Sequence, residues 1–103
     1  MKLYTIRDVL CGFGKTGPGN PVIFNLDNDQ LVIRVVKGSV ARGQSPNALN
    51  TNPEDKEVWC VGEFDTETGK ITACEPRLVC RVIDYVEGDK DGINQPGENA
   101  EAD

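Results

Sequence analysis

Residues 52 to 69, NPEDKEVWCVGEFDTETG, constrain the fold more than any other stretch. A residue before proline is pushed out of the helical region, so Asn52-Pro53 closes a loop. Lys56 to Asp65 then reads as one extended strand. A period of two puts Val58, Cys60 and Phe64 on one side and Trp59 and Val61 on the other. Thr66-Glu67-Thr68-Gly69 reverses the chain, and Gly69 supplies the positive φ that a short hairpin loop needs. A second extended run follows, giving a hairpin whose longer strand is centred on the only tryptophan.

At 103 residues the chain is one small domain with a modest core. No apolar stretch approaches the roughly 20 residues of a membrane span. The opening MKLYTIRDVL lacks an apolar signal-peptide core, so the protein is expected to stay where it is made, with no membrane partner. Four cysteines, at 11, 60, 74 and 80, form no CxxC pair, and the chain has no histidine. Neither a metal site nor a disulfide framework is expected from that pattern. Cys60 and Cys80 lie on strand-like apolar runs and read as structural thiols.

The net charge of −6 is unevenly spread. Residues 87–103 hold six acids and one lysine, a net of −5; residues 1–86 hold ten bases and eleven acids, a net of −1. The division is a near-neutral α+β domain at 1–86 and an acidic tail at 87–103. The tail has one isoleucine and no aromatic residue, so disorder is expected there.

In chain order, Lys2 to Leu10 begins as a strand with Tyr4 and Ile6 on one face. Residues 11–21, with four glycines and two prolines, form a loop. Its Gly14-Lys15-Thr16 is not a phosphate-binding loop, because Val9 stands where the first glycine belongs and Gly17-Pro18-Gly19 forbids the helix that must follow. Val22 to Leu26 is a short strand. Asp27-Asn28-Asp29 offers helix N-caps. LVIRVV favours a strand by propensity, yet Leu31 or Val32, Val35, Val36 and Val40 form a helical stripe. The capping residues favour a helix over about 28–42, which Gly38 weakens by roughly 1 kcal/mol relative to alanine.

Residues 43–55 read as turn-rich and solvated, and Lys70 to Val86 as an extended run broken near Glu75-Pro76, where Pro76 marks an edge, bulge or strand break. The resulting order β-β-α-β-β predicts an α+β domain: a small antiparallel β-sheet of about four strands with one helix packed on a face. Trp59, Val61, Ile83 and Tyr85 would share the other face. Either that face is left uncovered for self-association or a partner, or loop 11–21 folds over it.

Several stretches, in order and spacing, resemble a known family. They are the opening MKLYTIRD, PVIF, DNDQLVIRVV, and NPED followed by an apolar strand and GEFDTETG. Across about residues 1–70 the chain is similar to the small non-structural protein of gokushoviruses, icosahedral single-stranded-DNA phages of the microvirus group. It departs in its glycine-rich segment at 12–19 and in helix valines where alanine is usual. The resemblance implies a non-structural role in viral single-stranded-DNA synthesis or its coupling to packaging, in the host bacterial cytoplasm. It carries over no catalytic residue.

The residues themselves argue against an enzyme. General acid–base work lacks a histidine, and no serine or cysteine has a recognisable activating base. Glu54-Asp55 and Glu63-Asp65 read as solvated acids, and no cofactor is expected. Binding of single-stranded DNA needs bases beside aromatic faces. The candidates are Lys2, Arg7, Arg34, Lys37, Arg42, Arg77 and Arg81, with Tyr4, Phe13, Trp59 and Tyr85 as stacking platforms. Arg77 and Arg81 would share a face beside Tyr85. The acidic tail would either compete for that surface or merely keep the chain soluble. The alternative is a regulator that contacts viral or host replication or assembly proteins through the Trp59 face and the sheet edges. A homo-oligomer, a dimer, fits both readings.

Overall fold

In the computed structural model, which describes residues 1–86, strand β1 (Lys2–Asp8) is the centre of a five-stranded antiparallel sheet. Along one edge β1 pairs with β4 (Lys56–Phe64), with Tyr4 opposite Cys60 and Ile6 opposite Val58. Its other edge is shared end to end by β2 (Gly12–Phe13) and β3 (Phe24–Leu26). The last strand, β5 (Ile71–Arg81), pairs only with β4. One helix, α1 (Asp29–Ser39), lies on one face, so the expected α+β class holds. The acidic tail at 87–103 lies outside the described residues.

The helix wins over the β-branched propensity of its sequence through its ends and its stripe. Asn28 is the N-cap, its side chain accepting from the Leu31 N–H at 3.0 Å. The Asn47 and Asn50 side-chain amides donate to the Ser39 carbonyl at 2.9 and 3.1 Å, satisfying an oxygen the helix leaves open. Val32, Val36 and Val40 are buried against Tyr4, Ile6, Val58, Cys60, Cys80 and Val82. Val35 departs from the expected stripe and is exposed, because the core takes the 32/36/40 row.

The central hairpin forms as read, closed by a turn at 65–70. The Asp65 carboxylate accepts from the Glu67 and Thr68 N–H groups, and Gly69 has φ +78°. Gly62 is required for a different reason: a Cβ there would come within 2.6 Å of the Thr72 carbonyl oxygen.

Three expectations need correction. Residues 43–55 are not simply solvated, since Leu49 enters the core and the Asn47 side chain, whose Oδ1 accepts from the Leu49 and Asn50 N–H groups, holds it there. The break expected at Pro76 is instead the edge and bulge that a proline also allows: β5 is an edge strand that continues through it while its ladder skips residues, Ala73 pairing with Gly62 and Arg77 with Cys60. The strand also ends at Arg81, not Val86, as Val82–Tyr85 turn into a 3₁₀ helix that buries Val82.

Candidate nucleic-acid interface

The sheet face opposite the helix carries a cluster built around Trp59. Register places Arg7 opposite Glu57 on β1 and β4, and Phe13 of β2 opposite Arg7. The Phe13 and Trp59 rings meet edge to face at 5.4 Å, and the Arg7 guanidinium lies 5.6 and 5.9 Å from the two ring centres. Such contacts favour a cation over a ring face. Loop 11–21 thus covers part of this face through Phe13, while Phe13 itself keeps half its surface exposed, at 49%.

Glu57 is the electrostatic hub. Its carboxylate accepts from Arg7 at 2.9 Å and from the Trp59 indole N–H at 3.0 Å, with the Arg81 guanidinium 3.9 Å away. Burial works to raise its pKa, but the bonds from Trp59 and Arg7 outweigh it and leave the carboxyl below its ordinary value. Two guanidiniums against one carboxylate leave the cluster with a single net positive charge.

Arg77 and Arg81 do not share a face. β4 and β5 pair Val58 with Cys80 but Trp59 with Leu78, so Val79 is an extra residue that reverses the alternation. Arg81 therefore stands beside Glu57 on the outer face. Arg77 turns to the helix side, donating to both Asp29 oxygens at 2.8 and 3.4 Å. Asp29 also accepts from the Tyr4 hydroxyl at 2.9 Å. The Arg77 hydrogen bond, ahead of opposing burial, holds the Asp29 carboxyl below its usual range, while burial and then the Asp29 bond push the Tyr4 phenol up.

The remaining candidates also lie away from Trp59. Tyr4 is fully buried with its ring stacked on Phe24 at 5.8 Å, so it offers no face to a base. Tyr85 packs toward the helix, with Lys37 5.5 Å over its ring, because the 3₁₀ turn carries it off the sheet. Arg34 and Arg42 are exposed on the helix and just beyond it. Lys2 lies two residues before Tyr4 on β1, within electrostatic reach of Asp29. The structure thus joins Arg7, Trp59 and Arg81 with Phe13, and separates them from Lys2, Tyr4, Arg34, Lys37, Arg42, Arg77 and Tyr85. Glu57 and Asp29 are the groups that sequence reasoning missed. Glu57 had a signal, standing two residues from Trp59 on the same face of a strand.

Among the described residues, no three His, Cys, Asp or Glu side chains gather as a metal site, and no helix is long and apolar enough to cross a membrane. No curated protein and no solved structure matches the chain. A family model described as Phage ORF5 protein matches residues 1–85, nearly the whole of the described domain. The chain that carries this aromatic and arginine cluster therefore belongs to the Phage ORF5 protein family.

Proposed function

We propose that this phage protein is a gokushovirus non-structural protein, working in the host cytoplasm, that acts in viral single-stranded-DNA synthesis or its hand-over to packaging. It does so without catalysis, by binding single-stranded DNA across the Trp59 face. The observation that supports this reading is the cluster itself: a half-exposed Phe13 ring on Trp59, Arg7 over both, and Arg81 alongside with 62% of its side chain exposed. Base stacking on aromatic rings contributes about 1–3 kcal/mol per base and is indifferent to sequence, while guanidiniums hold the phosphates. With one net charge, the cluster is suited to weak, salt-sensitive binding rather than a tight grip.

A second reading, docking to a replication or assembly protein, is favoured by Val22 and Ile23. They are 59% and 48% exposed and line a shallow hollow of about 290 Å³ with Phe13, Val61 and Pro76. Apolar exposure of that kind suits a protein surface better than a phosphate backbone.

Fluorescence anisotropy of a labelled single-stranded oligonucleotide, titrated with the full-length chain and with residues 1–86 at two salt concentrations, separates the readings. The DNA reading expects salt-sensitive binding that falls several-fold in Arg81→Ala and improves on removal of the acidic tail. Absence of binding at low salt would leave protein docking as the better account.

A further inference from the structure

β5 is the longest strand among the described residues and also the least covered. Every residue from Ile71 to Leu78 is exposed, Ile71 at 65% and Leu78 at 39%, and no described strand pairs with its outer edge. An exposed row of backbone donors and acceptors is a template for another strand. Native edges are usually blunted by charge or proline, and this one carries Glu75, Pro76, Arg77 and Arg81. The arrangement of those residues points to a specific partner instead.

We propose that two copies of this chain join through β5, antiparallel about a two-fold axis at Pro76, merging their sheets into one. The register follows from the strand. Pairing residues 74–78, the stretch centred on Pro76 that ends before the Val79 bulge, with those of a second copy puts Pro76 on the axis. That same register sets Glu75 opposite the copy's Arg77, twice. Charge complementarity therefore selects one alignment, and cross-strand ion pairs of this kind stabilise a ladder where like charges would oppose it.

Pro76 fits the register. On the axis it falls in a non-hydrogen-bonded pair, which asks for no N–H toward the copy. Its missing donor then faces β4, where residues 74–76 are already left out of the β4 ladder. An antiparallel pairing has its two-fold perpendicular to the sheet, so both helices fall on one side and both Trp59 faces on the other. The inference stands apart from the DNA reading, since a monomer could bind DNA and a dimer could bind none.

Sedimentation velocity of the full-length chain, from micromolar to hundreds of micromolar, should show a concentration-dependent dimer. Glu75→Arg brings four guanidiniums together at the axis and is expected to raise the dimer dissociation constant at least about tenfold. An equimolar mixture with Arg77→Glu should restore association, because each interface then holds opposite charges. Arg77→Glu also loses Asp29, so a second variant guards against misfolding. With Cys11→Ser and Cys74→Ser in the background, Pro76→Cys should link to its own copy under mild oxidation, its Cα pair lying about 4.5 Å apart across the axis. Thr68→Cys, in the hairpin turn, should not. A chain that stays monomeric throughout, an unchanged constant in Glu75→Arg, or a Pro76→Cys link no faster than Thr68→Cys would each overturn the proposal.

Discussion

Two carboxylates organise the sheet's two faces. Glu57 ties Arg7, Trp59 and Arg81 together on the outer face, and Asp29 ties Tyr4 and Arg77 to the first turn of the helix. Glu57→Gln keeps the shape of the acceptor but removes its charge. It should lower stability by about 1 kcal/mol in urea denaturation, and it should tighten DNA binding several-fold by freeing two guanidiniums. Asp29→Ala leaves a buried phenol without its acceptor and should cost about 1–3 kcal/mol. Both carboxyls have folded pKa values below their ordinary ones. The stability they contribute is therefore fully present above the ordinary carboxylate range and is lost as pH falls through the lowered folded values. A melting-temperature profile against pH should drop over that acid range, with a shallower drop in Glu57→Gln; an identical profile in the variant would contradict the assignment.

The elements divide into those legible from the sequence and those set by pairing. The helix was legible despite the five β-branched or leucine residues of LVIRVV, because Asn28 caps it and Val32, Val36 and Val40 recur on one face. Asn28→Ala should cost about 1 kcal/mol, and Val36→Ala, which opens a cavity against the sheet, about 2 kcal/mol; thermal melts would rank them in that order. The hairpin was legible from Trp59 to Gly69, yet its bulge was not. A residue's face is fixed by alternation only while the register is regular, and the extra Val79 put Arg77 and Arg81 on opposite faces. Leu49 was hidden for another reason: its loop is rich in turn residues, and only the fold brings it under the helix. Gly62→Ala should disrupt the hairpin by about 2 kcal/mol or more, since its Cβ meets the Thr72 carbonyl and backbone has little room to yield.

At the scale of the whole molecule, the helix side is closed by ion pairs and packing, while the outer face and the β5 edge remain open among the described residues. Under the two proposals, a Phage ORF5 protein with this division would offer one surface to nucleic acid and one edge to its own copy. Of the candidate site, Trp59 and Arg81 were readable as types, but their union with Arg7 and Phe13 depends on β2 folding back along β1. The central claim is that single-stranded DNA lies on that face. An amide and indole proton NMR titration of isotope-labelled full-length chain with a thymidine oligonucleotide tests it most directly. The account predicts that the Trp59 indole resonance and the Arg7, Phe13 and Arg81 amides shift together and saturate, while those of the helix stay put. Shifts confined to Arg34, Lys37 and Arg42 on the helix side, or none at low salt, would contradict it.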